Sequence, residues 1–233
     1  MGIATITMIE AGSASEMQSL LRLMTWLSPA FPVGAFAYSG GLERAVKDGL
    51  VGGAETLRHW IALLLERGSG WNDAVLLAEA FHAVADAERL AAVRELAAAL
   101  AGSRERHAET TLLGDAFLTA ARAWPQAVLD GLASGTAYPV AVGAVAAAHG
   151  VALRQALAAF LHSLASQLVS AGIRLGAIGQ RDGVAILVGL EEGIGAIATR
   201  AAASTLDDLG SAMIHAEIVS LRHETQGTRL FRS

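Results

Sequence analysis

Residues 153–174 read LRQALAAFLHSLASQLVSAGIR, and the fold turns on what this stretch is. It is long and apolar enough to cross a bilayer. Inside the bracketing Arg154 and Arg174, however, stand Gln155, His162, Ser163, Ser166, Gln167 and Ser170. A spanning helix seldom carries so many polar groups, whereas a buried helix with one wetter face does. The stretch therefore reads as a core helix, running from Leu153 towards Gly179 and weakened at its end by Gly172, Gly176 and Gly179. The uncharged run from Gly131 to Leu153 is Ala- and Gly-rich, with Pro139 and His149, and Ala contributes little to insertion.

Working outward, the same periodicity recurs. Leu57, Ile61, Leu64 and Leu65 share one face of a helix over Ala54–Gly68. Further helices are expected over Trp71–Ala85, Ala87–Ala101, a run capped by Ser103 that stops before Pro125, Gln126–Ala133 and Val140–His149. Val184–Ala203 reads as helical, though its start could pass for a strand. Thr205–Asp208 signals a cap ahead of a last helix through Ser220. At the other end, Ser15–Gln18 resembles a capping box before a helix ended by Pro29, and Leu42–Gly49 a short helix closed by Gly49. The expected fold is all-α: a single-domain bundle of about ten helices over residues 15–222. A flexible segment would precede it at 1–14, where Ile3–Ile9 alternates like a lone strand, and a docking tail would follow at 223–233.

Composition agrees. Ala and Leu supply over a third of the 233 residues, hydrophobic residues make up 53% and charged residues 17%. Mean hydropathy is +0.45. Disorder is excluded by that hydrophobicity. The absence of Cys excludes disulfides, thiolate zinc sites and thiol nucleophiles. A formal charge of −5 gives no field for nucleic acid phosphates. No Lys or Arg precedes Arg22, so a signal peptide's positive region is missing and a cytoplasmic location is expected.

The search for chemistry finds little. None of the seven His residues lies three or four positions from another, so no helix presents two imidazoles on one face. Glu79-x-x-His82 is one unit where a di-iron bundle needs two. His223-Glu224 begins like a zinc-protease motif, but Gly227 stands where the second His belongs. There is no phosphate-binding P-loop, Gly193-Ile194-Gly195 lacks its strand and third Gly, and no Gly-x-Ser-x-Gly elbow occurs. No enzyme, metal site or cofactor is proposed by these residue types. Two segments stand out instead. The loop Ser28–Gly41 holds two of the four Pro and is apolar, so it packs inward or meets a partner. The end, SLRHETQGTRLFRS over 220–233, sets an apolar Leu230-Phe231 between Arg229 and Arg232, the composition of a docking peptide.

Three motifs carry a family resemblance. Leu27–Ser39 with Gly41-Leu42-Glu43 resembles the N-terminal signature of the urease accessory family UreF. Ala171–Leu175 with Gly179-Gln180 resembles its central motif, and Arg222–Gln226 with Arg229–Ser233 its C-terminus. They stand in family order along nearly the whole chain. Two departures are Arg174, where the family often has Lys, and Gly176-Ala177-Ile178, where it often has a Pro. The resemblance implies a non-enzymatic, homodimeric chaperone of nickel insertion. Such a chaperone joins the scaffold UreD (or UreH), recruits and regulates the GTPase UreG, and serves apo-urease, without nucleic acid or membrane. Carried onto this chain, it implies partner contacts at Tyr38, Ser39, Glu43, Arg174, Gln180, Arg222, His223, Glu224, Gln226, Arg229, Leu230, Phe231 and Arg232. The tail is assigned to the scaffold, and the loop and central motif to the GTPase side. An alternative implication is direct GTPase activation by an arginine in trans, with Arg174 and Arg222 as candidates.

Overall fold

The structure, a computed structural model, describes residues 15–233. Its elements are α1 (residues 15–26), a 3₁₀ turn Ala35–Ala37, α2 (Leu42–Lys47), α3 (Ala54–Arg67), α4 (Ser69–His82), α5 (Ala87–Ala99) and α6 (Arg104–Ala121). There follow α7 (Val128–Gly131), α8 (Tyr138–Ala148), α9 (Leu153–Arg174), α10 (Gln180–Ala201), a 3₁₀ turn Leu206–Asp208 and α11 (Ile214–His223). Among the described residues there is no strand, so the fold is all-α in one domain. The lone-strand reading at Ile3–Ile9 lies outside the described residues. The strand alternative at Gly183–Val188 does not hold, because those residues lie inside α10.

The centre is α8, buried on every side from Pro139 to Ala146. A helix that is apolar all round needs neighbours all round, and α4, α6, α5 and α9 supply them. Its closest neighbour is α4. A Cβ at Gly143 would sit 2.3 Å from the Leu77 carbonyl oxygen, so the two helix axes approach only because Gly stands there. Helix α9 buries Ala156, Leu157, Phe160, Leu161, Ala165, Leu168 and Val169. By length and composition α9 could cross a membrane, but that apolar face is covered by α10, α4, α3 and α8.

The apolar loop after α1 does both things its composition allows. Phe31 enters an aromatic cluster with Phe117 and Trp124, joined by Trp26 from α1, while Phe36 is 72% exposed. His149 packs on Trp26, with ring centroids 5.2 Å apart. Burial and the Arg22 cation hold its imidazole below the ordinary 6.5. Asp86 and Ser103 cap α5 and α6 through bonds to Arg89 and Arg106 amides.

Several boundaries differ from expectation. Helix α9 ends at Arg174 rather than near Gly179, which instead caps α10, and α10 starts at Gln180 rather than Val184. Ser15 is already helical, so it is no N-cap. Thr205 caps only the short 3₁₀ turn, and the last helix starts at Ile214 and runs to His223. The β-branched, Asp-rich turn was strong enough to cap but had no apolar repeat behind it until Met213. His223, expected as the first residue of the tail, is therefore the last residue of α11.

Gly143→Ala should destabilise the fold by about 2 kcal/mol through overpacking, read as a lower midpoint in urea with unchanged slope. An unaltered midpoint would mean that the α4–α8 contact is not the tight one.

Candidate partner-binding site

The three motifs, far apart in sequence, meet at one place. Residues 224–233 form a strap that leaves α11 and runs back across the start of α2 and the 34–41 loop. Its anchor is Glu43, 8% exposed, in the first turn of α2. The Glu43 carboxylate accepts from the Leu230 amide at 2.8 Å and the Phe231 amide at 3.0 Å. Burial pushes its carboxyl up, but those two amides and His223 outweigh it and hold the group below the ordinary 4.5.

His223, fully buried at the end of α11, lies between two carboxylates. Its Nδ1 is 2.6 Å from Glu105 of α6, and its Nε2 is 3.2 Å from Glu43. Arg229 of the strap binds the other Glu105 oxygen. Glu224 accepts from the Arg104 amide at 2.8 Å, fastening the strap's first residue to the start of α6. The close approach of α2 to α11 depends on Gly41, whose φ is +81° and whose added Cβ would meet Ser220 backbone at 3.2 Å.

Beyond Glu43 the strap closes on the loop. The Arg232 amide donates to the Ala37 carbonyl at 2.8 Å. The Ser39 amide donates to the main-chain oxygen of Ser233 at 3.0 Å, and the Ser39 hydroxyl donates to the same oxygen. Ser233 Oγ donates to Glu109 of α6 at 2.9 Å. Glu109 is buried beside Arg106, which also pairs with Asp73 of α4. Burial pushes the Glu109 carboxyl up, and Arg106 and the Ser233 hydroxyl oppose this without cancelling it.

The central motif joins through Arg174, at the last turn of α9. Its guanidinium donates to the Phe36 carbonyl and lies 4.3 Å from the centroid of the Phe231 ring. A cation over an aromatic face contributes about 1 kcal/mol. Gln167, two turns earlier, donates to the Tyr38 carbonyl at 3.2 Å. Burial of Phe231, 3% exposed, adds about 2 kcal/mol.

The thirteen expected residues thus divide. Tyr38, Ser39, Glu43, His223, Gln226 and Phe231 are buried and build the clamp, and Glu224 is half-buried in it. Arg174, Arg222, Arg229, Leu230 and Arg232 are exposed. Gln180 is the exposed first residue of α10, apart from these contacts. Five residues of the clamp were missed by sequence reasoning, Asp73, Glu105, Arg106, Glu109 and Gln167, while Ser233 lay in the expected tail without a role of its own. One signal was available. Glu109, Thr110, Leu113 and Phe117 share the buried face of α6, so a charge stands where the apolar repeat demands a core residue. Glu105, by contrast, looks like any acid complementing a helix dipole.

Among the described residues no group of three or more His, Cys, Asp or Glu is disposed to hold a metal ion. Fold and site together define a helical bundle that displays a clamped peptide strap, a type of surface suited to protein recognition. The comparisons give the family. The chain belongs to the UreF family, whose model matches residues 51–191. It is 67% identical over 218 residues to "Urease accessory protein UreF" of Rhizobium leguminosarum bv. trifolii strain WSM2304, covering 94% of this chain and 98% of that one. It is 62% identical over 219 residues to the protein of the same name from Agrobacterium fabrum, and 60% to that from Sinorhizobium medicae, at the same coverage.

Glu43→Ala should free the strap, leave His223 and Glu105 poorly paired, and cost about 3 kcal/mol. Limited proteolysis should then cut within residues 224–233 while the bundle survives. In the parent chain the unfolded state takes up the Glu43 proton first as pH falls, because the folded group sits lower. The contribution of Glu43 ionisation to the clamp is therefore complete above about pH 4.5 and is lost as pH drops through the folded group's own titration.

Proposed function

We propose that the chain is a non-enzymatic accessory protein of urease maturation, acting as an adaptor in the cytoplasm for nickel insertion. It joins a UreD (UreH) scaffold as a homodimer and brings the GTPase UreG to apo-urease, regulating its hydrolysis. The observation that carries this reading is the convergence of three distant segments into one face. There, Arg174 and Arg232 stand beside the exposed Phe36 and Leu230, which are 72% and 54% accessible. Exposed aromatic and aliphatic side chains among guanidinium groups are what a protein partner with apolar pockets and carboxylates would engage. The urease-related names of the relatives support the choice of pathway.

A direct activating role needs a guanidinium free to enter another active site. Of the two candidates, the Arg174 guanidinium is already committed to Phe36 and Phe231 and Arg222 reaches Asp48 at 3.5 Å, which favours the adaptor reading.

Deleting Arg229–Ser233 would remove the clamp as well as the contact surface, so exposed residues give the cleaner test. Leu230→Ala with Arg232→Ala should weaken co-elution with UreD at least tenfold, measured by size exclusion with light scattering, while the melting temperature stays within about 2 °C. Undiminished complex formation would remove the strap from the partner surface. Arg174→Ala should reduce UreG recruitment more than stability, and Arg174→Lys should restore part of it. A large loss of melting temperature with normal recruitment would make Arg174 structural only.

A further inference from the structure

His223 has a bonding problem that only one protonation state solves. The ring is fully buried, and each nitrogen faces a carboxylate oxygen, at 2.6 Å from Glu105 and 3.2 Å from Glu43. A carboxylate only accepts, so both nitrogens must carry hydrogen. The charged groups around it come from every neighbouring element. Glu43 arrives from α2, Glu105 from α6, and Arg229 from the strap on the far oxygen of Glu105. On its own helix, Arg222 turns to Asp48 at 3.5 Å, and just beyond the helix Glu224 turns to the Arg104 amide. Two acids, one imidazolium and one guanidinium balance.

A neutral imidazole has one N–H and one lone pair. The shorter contact keeps the hydrogen on Nδ1, so the lone pair of Nε2 then faces the Glu43 oxygen, acceptor against acceptor. That same oxygen accepts from the Phe231 amide. The penalty for losing the imidazole proton therefore falls on the carboxylate that holds the strap.

We infer that His223 is a protonation-dependent lock on the C-terminal strap: protonated, it closes the strap through Glu43; deprotonated, it releases residues 229–233 and uncovers the apolar bed of Phe231. Losing the ring proton weakens closure, so rising pH works against the closed strap. The inference stands on the strap's own geometry, whichever partner the surface meets.

Glu105→Gln separates a lock from a mere anchor. Its amide can donate to Nδ1 while its oxygen still accepts from Arg229, and a neutral His223 can then donate from Nε2 to Glu43. The strap should stay closed with no pH dependence.

The test uses isotopically labelled full-length chain between pH 6 and 9. Amide exchange at Leu230 and Phe231 is corrected for its intrinsic pH dependence, and the ¹⁵N shifts of His223 are read in parallel. Protection should fall with rising pH by up to about tenfold per unit, in step with loss of the doubly protonated ring. Glu105→Gln should show flat protection equal to the closed parent. Flat protection in the parent, or a neutral ring while the strap is closed, would overturn the lock. So would Glu105→Gln losing the strap at every pH. The same readout on Arg222→Ala, which leaves the ring's partners in place, should follow the parent; a matching loss of pH dependence there would also overturn it.

Discussion

The burial of the Glu43 carboxylate is the constraint on which the site depends. A carboxylate removed from water must find donors, and here the donors are the two strap amides and the His223 ring. Each of these has few other choices. The amides of Leu230 and Phe231 sit in irregular backbone with no helix to pair them, and His223 is sealed at the end of α11. One charge thereby specifies where ten residues of chain run. The cost of a half-made network is what makes the arrangement specific.

The bundle supplies the geometry for that charge. Gly143 lets α4 and α8 close tightly, and α9 then lies with one face on this core and its last turn beside the loop. Gly41 lets α2 approach α11, which puts Glu43 and His223 within bonding distance. A second polar layer, Asp73–Arg106–Glu109, carries the contact from the strap's end into the core through Ser233. Along the outer edge of this network Phe36, Arg174, Leu230 and Arg232 are exposed.

The bundle was largely legible in the sequence because helix periodicity and capping are local. Leu57, Ile61, Leu64 and Leu65 announced α3, and Ser103 announced the start of α6. The turn at Thr205 misled, since a good cap does not require a long helix behind it. The motif resemblance marked Glu43, His223 and Phe231 but not what they do. Their partnership spans about 180 residues of chain, and no local pattern encodes it. Composition suggested a tail of exposed arginines around an apolar anchor, whereas the anchor Phe231 turns inward and only Leu230 faces out. Glu105 was invisible for a simpler reason: an acid at a helix start already has an ordinary explanation.

Loop, α9 end and strap are joined in one set of contacts and should respond as a single face. Hydrogen exchange of the Phe231→Ala chain, followed by mass spectrometry, tests it most directly. Removing the ring takes away the contact beneath Arg174 and the apolar bed of the strap. Residues 34–41 and 224–233 should lose protection together, by the same factor, while α4 and α8 keep theirs. Loss confined to the residues next to position 231, with the loop unchanged, would contradict the claim.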